Sequence, residues 1–281
     1  MQKIYTDQLY TQMTSLGFSQ TIMDILSSAY KNEVFVSNLK TVKTKMMEAL
    51  TASKLAVEAE NALVVPDYSN PHDRHKISSA SLSPQFDDIE AEIMCLLIMH
   101  FESKHIYEMS PSHGWSTLYM LNTVDVSNMD SIVHSYDTED TCVANINGFP
   151  NLATKFDFHL GDVKNEYVNF SDQLDFVFID CDCSVDFAKD YIANLLTPLL
   201  EKAKLQNKKT IVCIHDIFHN ETPSSEGEFV IEFITQNNLQ YFSPKNNEHS
   251  QILAGLRSDV GIDTELIHHA TSNPAIFFIL E

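Results

Sequence analysis

Apolar positions are spaced along one part of this chain and gathered into short continuous runs along the rest, and that change divides it. Up to about residue 65 the spacing is helical. Leu9, Met13 and Leu16 share one face and end at Gly17; Ile22, Ile25, Leu26 and Ala29 form a second stripe, which Ser19 is placed to cap. Val36 to Leu63 holds neither Gly nor Pro and carries Leu39, Val42, Met46, Met47, Leu50, Leu55 and Val57 as apolar positions, which predicts one long helix or two. Two prolines among polar residues between Val64 and Asp73 then break the pattern. We therefore expect a helical appendage over 1–80, acting as a cap or in dimerisation, and a main domain over 81–281.

In the main domain short apolar runs recur. They are His105–Tyr107, Ser131–Tyr136, Phe156–Leu160, Leu174–Ile179, Thr210–Ile214 and Ala275–Leu280, with Ser250–Leu256 as a further strand candidate. Between them lie helical or loop segments, including an amphipathic stretch over Phe187–Leu200. Ser83 and Pro84 are expected to open the helix carrying Ile89, Ile93, Leu96, Leu97 and Met99. Strands alternating with helices predict an α/β fold, a mostly parallel sheet covered on both faces.

The stretch from His105 to Leu121 shows the unit most clearly. A strand ends at Glu108, a loop Ser110-Pro-Ser-His-Gly114 follows, and a helix begins with Ser116 and Thr117 as candidate caps. Backbone N–H groups at such a turn suit electron-rich ligand groups, whereas Glu108 opposes a phosphate and suits hydroxyls or an ammonium. Each later strand also ends in acid: Asp137, then Asp162, then Asp180 with Asp182, then Asp216, the last preceded by His215. In a parallel sheet these ends share one edge, so the carboxylates converge on one crevice, with no Lys or Arg at the strand ends to neutralise them. They require donors or a divalent cation to coexist.

Composition narrows the function classes. Lys and Arg number 18 against 39 Asp and Glu among 281 residues, a formal charge of −21. That disfavours nucleic acid and anionic membranes as partners. The five cysteines, Cys95, Cys142, Cys181, Cys183 and Cys213, are scattered over apolar segments and off zinc-knuckle spacing, which is expected of reduced thiols in the cytoplasm. Met1–Tyr5 lacks the apolar run of a secretion signal, and no stretch of about 18 apolar residues predicts a membrane span. A nicotinamide dehydrogenase fits poorly, because the loop lacks Gly-x-Gly-x-x-Gly and a pyrophosphate would face Glu108.

In its ordered motifs the chain resembles the class I S-adenosylmethionine-dependent methyltransferases, nearest the small-molecule and sugar O-methyltransferase (cephalosporin hydroxylase-like) branch. Glu108-Met-Ser-Pro-Ser-His-Gly114-Trp-Ser-Thr stands for the family's Glu-x-Gly-x-x-x-Gly-x-Ser loop, and Asp137 for the acid after the second strand. Gly161-Asp162, Phe178-Ile-Asp-Cys-Asp-Cys-Ser184 and His215-Asp-Ile-Phe218 follow in order. The resemblance implies a Rossmann-like, doubly wound, mostly parallel seven-stranded sheet with an antiparallel C-terminal strand. It implies a cofactor, S-adenosylmethionine, held by Glu108, Ser110, Gly114, Trp115, Ser116, Asp137, Asp162 and Asp180. It implies His215, Asp180 and His219 as catalytic residues, and Asp180, Asp182 and Asp216 as ligands to Mg2+ or another divalent cation. The expected reaction is O-methylation of a small-molecule or sugar substrate, with homo-oligomerisation through the N-terminal helices. The sequence departs from the family at Ser110, where glycine is usual and where a side chain is tolerated best at φ below zero. It departs again at Cys181 and Cys183, where glycine and histidine are usual. The alternative these departures leave open is a non-catalytic protein that keeps the fold for binding or assembly. For the catalytic reading, histidine's ordinary pKa near 6.5 suits a general base.

Overall fold

A computed structural model describes residues 19–63, 82–170, 173–219, 222–244, 247–262, 266–269 and 273–281, with side chains from 57 to 63, at 170 and from 247 to 249 left aside. The expected helix of Leu9, Met13 and Leu16 and the proline-containing linker lie outside these residues.

The elements run α1 (Gln20–Lys31), α2 (Glu33–Leu63), α3 (Asp88–Phe101), β1 (His105–Met109), α4 (Trp115–Val126), β2 (Ile132–Asp137), α5 (Thr141–Asn147), β3 (Phe156–Leu160) and β4 (Phe176–Ile179). There follow α6 (Val185–Tyr191), α7 (Thr197–Gln206), β5 (Thr210–Ile214), β6 (Phe218–His219), β7 (Thr222–Pro223), α8 (Ser225–Gln236), β8 (Tyr241–Phe242), α9 (Asn247–Asp259) and β9 (Ile276–Leu280). Seven strands form one sheet in the order β3, β2, β1, β4, β5, β9, β8, and β6 pairs with β7 in a small separate hairpin. β1 to β5 are parallel and β9 runs antiparallel to both its neighbours. This is the doubly wound sheet expected.

Strand alternation sends successive side chains to opposite faces. Ile106, Phe176, Phe178, Ile211, Cys213 and Phe277 join one core with helices α1 to α4. Tyr107, Val177, Ile179, Val212 and Phe278 join a second core with α6, α7 and α8. At about 25 cal/mol per Å2 of apolar surface these two cores supply the main driving force of folding. The N-terminal helices share the first core. Glu92 of α3, with no exposed surface, accepts from Lys43 Nζ of α2 at 2.6 Å, Arg257 Nε of α9 at 2.8 Å and Tyr30 Oη of α1 at 3.3 Å. Burying that carboxylate requires such partners.

Several local expectations change. Ser19 caps α1 as predicted, its Oγ accepting from Ile22 N–H at 3.1 Å, and the segment after Glu33 is one helix. The next helix starts at Asp88, not near Ser83. Asp87 is its cap because its carboxylate takes both Ile89 and Glu90 N–H, which serine cannot do as strongly. Ser250–Leu256 lies inside helix α9 rather than forming a strand. Phe187–Leu200 is helical, with a π turn over Ile192–Leu196 where Thr197 Oγ1 donates to Ile192 O at 2.8 Å. No helix among the described residues is long and apolar enough to cross a membrane.

Candidate functional site

The carboxyl ends of β1 to β5 bring the expected acids to one edge. Ser110 N–H donates to Tyr136 O, Gly161 N–H to Asp137 O, Asp180 N–H to Met109 O and His215 N–H to Ile179 O. These links stitch the loop after each strand to the neighbouring strand end. A crevice of about 260 Å3 opens there, lined among others by Ser110, Asp137, Asp162, Lys164, Cys181 and Asp182.

The turn after β1 is wound tightly. Ser110, Ser112 and Gly114 all have positive φ, 65°, 50° and 85°. Ser110 thus keeps the left-handed backbone natural to glycine, the conformation in which its side chain is tolerated least. Ser112 N–H donates to Asp137 Oδ2 at 3.2 Å, which ties the turn to the end of β2. Gly114 is the N-cap of α4, and its positive φ frees the chain to enter the helix. Ser116 and Thr117, expected as caps, instead donate to Glu108 Oε1 and Oε2 at 2.5 and 2.6 Å, and Ser135 Oγ of β2 donates to Oε2 at 2.6 Å. Glu108 has no exposed surface. Burial raises its pKa while the three hydroxyls draw it back. Glu108 therefore stands behind the crevice as an anchor joining β1, β2 and α4. Trp115 and Ser116 are buried beside it.

Asp137 and Asp162 face the crevice. Asp137 accepts from the N–H of Ser112 and of Glu139, and Asp162 Oδ1 accepts from Lys164 N–H at 3.0 Å. Lys164 brings a cation to a rim expected to have none; its ammonium lies 5.2 Å over the Phe187 ring. The signal was in the sequence, two residues beyond Asp162, but past the strand end itself.

Beside the crevice His215 sits between carboxylates. Its Nδ1 is 3.2 Å from Asp180 Oδ1 and 3.5 Å from Asp216 Oδ1, and its Nε2 is 3.8 Å from Glu90 Oε2. Burial alone would lower its pKa, but Asp180, Glu90 and Asp216 outweigh it and hold the ring up to about 9. Burial pushes Glu90 up to about 8. Glu90 Oε1 accepts from Ala275 N–H at 2.6 Å, while Oε2 is buried with no hydrogen-bond partner among the described residues. Glu226 is buried at the start of α8 and accepts from Tyr191 Oη at 2.8 Å; burial lifts it to about 7. Glu90 and Glu226 are not found by looking at strand ends, because both lie in helices, one ahead of the first strand and one after the fifth.

The one-atom-each donors of Asp180, His215 and Asp216 all lie within 4.8 Å of one another, so this trio can hold a divalent cation. Asp182 is exposed and stands apart from it. His219 is exposed in the β6–β7 hairpin with Nδ1 3.4 Å from Asn273 Oδ1. After the β6–β7 hairpin the polar segment turns into helix: Ser224 Oγ accepts from Gly227 N–H at 3.0 Å and α8 begins at Ser225. Cys183 is exposed and Cys181 partly so, with both thiols raised by burial, Cys183 to about 12.

No family model and no curated protein matches the sequence. Among solved structures, the chain is similar to an O-methyltransferase from Bacillus cereus in complex with SAH at 12% identity, over 83% of this chain and 91% of that one, with a TM-score of 0.50. It is also similar to TomG, an O-methyltransferase from Streptomyces achromogenes involved in tomaymycin synthesis, in complex with SAM (14% identity, 74% and 85% covered, TM-score 0.43). A third is the SAH-bound methyltransferase PaMTH1 of Podospora anserina (11%, 93% and 96%, 0.38). The strand order with its antiparallel β9 and the likeness to the B. cereus structure agree: this chain has the fold of the class I S-adenosylmethionine-dependent methyltransferases.

Proposed function

We propose that the protein is an S-adenosylmethionine-dependent methyltransferase that methylates a hydroxyl of a small metabolite, such as a sugar. The observation that carries this reading is the joint placement of a carboxylate-lined crevice and the Asp180–His215–Asp216 trio on one edge of the sheet. A crevice with Asp137, Asp162 and Asp182 accepts hydroxyls, an amino group and a positively charged ligand, and it repels phosphates. The similar O-methyltransferase structure from Bacillus cereus, in complex with SAH, supports the same choice of cofactor.

In this reading Asp137 accepts the ribose hydroxyls, Asp162 lies by the adenine amino group, and the Ser110–Gly114 turn holds the methionine end. Glu108 acts from behind, by fixing that turn. A bound S-adenosylmethionine supplies the electrophilic methyl group. Asp180, His215 and Asp216 face the acceptor hydroxyl, where a divalent cation at the trio would lower the hydroxyl's pKa and orient it. Without that cation His215 takes the hydroxyl proton once it has lost its own, and Asp180 and Glu90 fix the orientation of its ring; with the cation the ring would be a ligand and the proton would pass to solvent. In-line alignment of hydroxyl, methyl and sulfur supplies much of the rate.

The test is a release assay. Methyl-labelled cofactor is incubated with the full chain and a panel of hydroxylated metabolites, with and without Mg2+, and S-adenosylhomocysteine is quantified. Turnover with at least one hydroxyl acceptor is expected. Cofactor binding without turnover on any acceptor would favour the non-catalytic alternative.

A further inference from the structure

The face of the sheet at the β2–β3 end carries a second cluster of ligand-type side chains, unrelated to the crevice chemistry. Cross-strand register places His134 opposite Asp157 and Tyr136 opposite His159, so His134, Asp157 and His159 project from the same face as neighbours. Asp157 Oδ2 lies 3.0 Å from His134 Nδ1 and 3.1 Å from His159 Nε2. One donor atom from each of the three residues falls within 4.8 Å of the other two.

From this geometry we infer that His134, Asp157 and His159 form a binding site for a late first-row divalent cation of the Zn2+ type. Two imidazoles and a carboxylate are a ligand set such an ion favours, and it bonds them at about 2.0–2.2 Å. In a tetrahedron that places donor atoms about 3.3 Å apart, close to the two separations between Asp157 and the histidines. The fourth position opens to solvent, because His159 and Asp157 are partly exposed, 37% and 51% at their side chains.

The rings are held ready. His134 stacks on Tyr107 at 4.5 Å and 15°, and His159 stacks on Tyr136 at 4.4 Å and 8°. Among the described residues His134 Nε2 has no hydrogen-bond partner, and Nδ1 is the nitrogen that reaches the site. The place is open because, among the described residues between β3 and β4, the chain makes only a short 3-10 turn, Val163–Asn165, and the four-residue helix Tyr167–Phe170. Among the described residues β3 is an edge strand bonded only to β2, so an ion here would clamp that edge of the sheet.

Zinc itself is the probe. Competition with a chromogenic chelator is measured on the full chain carrying Asp180→Asn, which silences the rim trio, and on the same chain with His159→Ala or Asp157→Asn added. The expected result is one equivalent of zinc in the parent, weakened by about tenfold or more by either addition. No binding in the parent, or equal binding in all three, overturns the site. A zinc-soaked crystal of the unaltered chain gives a second measurement that does not depend on any variant folding. An anomalous peak among His134, Asp157 and His159 supports the site, and a crystal whose only peaks lie elsewhere, or that has none, overturns it.

Discussion

His215 Nδ1 lies 3.2 Å from Asp180 Oδ1, although the two residues follow different strands and stand 35 positions apart in the chain. With Glu90 on the other side of the ring, His215 is protonated in the folded protein up to about pH 9, against its ordinary value of 6.5. A histidine in that state cannot take a proton. Activity is therefore expected to rise from pH 7 toward pH 9 and to move to lower pH when a divalent cation displaces the proton. A rate profile taken with and without Mg2+ checks this; a maximum near pH 6.5 would contradict it. His215→Gln is expected to lower turnover about 100-fold or more while leaving cofactor affinity nearly unchanged.

The same shifts predict how stability depends on pH. A group whose folded pKa is raised stabilises the fold below its unfolded value and loses that contribution as pH climbs through the folded value. For His215 the window is about 6.5 to 9, and for Glu90, raised from 4.5 to about 8, it opens lower. Both act in one direction. The urea midpoint is expected to fall between pH 6.5 and pH 9, and His215→Gln should flatten the upper part of that fall. A midpoint that rises with pH would contradict the assignment.

Glu108 gathers hydroxyls from β2 and α4, so its loss strands three buried donors. Glu108→Ala is expected to destabilise the protein by about 3 kcal/mol or more, because hydrogen bonds to a charged group contribute about 1.5–3 kcal/mol each and buried donors left alone add a penalty. Equilibrium unfolding measures it. A loss under about 1 kcal/mol would show that water replaces the carboxylate.

Ser110 holds φ at 65°, where a side chain costs about 1–2 kcal/mol relative to glycine. Ser110→Gly is expected to raise stability by about 1 kcal/mol and, by removing Cβ from the crevice wall, to tighten cofactor binding. Thermal unfolding and calorimetry test both parts. Weaker binding in Ser110→Gly would mean that the hydroxyl itself contacts the ligand.

The fold was legible because short apolar runs ending in acids recur at βα spacing, a pattern few other architectures produce. The rim was legible for the same reason: Asp137, Asp162 and Asp180 sit where strand ends must sit. What stayed hidden depended on packing. Nothing local distinguishes Glu108, which turns inward to Ser116, Thr117 and Ser135, from an acid facing ligand. Glu90 and Glu226 reach the rim from helices, so no strand-end rule finds them. Asp87 displaced Ser83 as a cap because two N–H groups, from Ile89 and Glu90, could share its carboxylate. Ser250–Leu256 failed as a strand because a short apolar run does not separate helix from strand by period alone.

Titration of S-adenosylmethionine into the full chain and into Asp137→Ala, followed calorimetrically, tests the central claim most directly. The account predicts one-to-one binding to the unaltered chain, weakened at least about tenfold by the substitution, since Asp137 is assigned the ribose hydroxyls. No heat with the unaltered chain, or the same affinity in both, would contradict it.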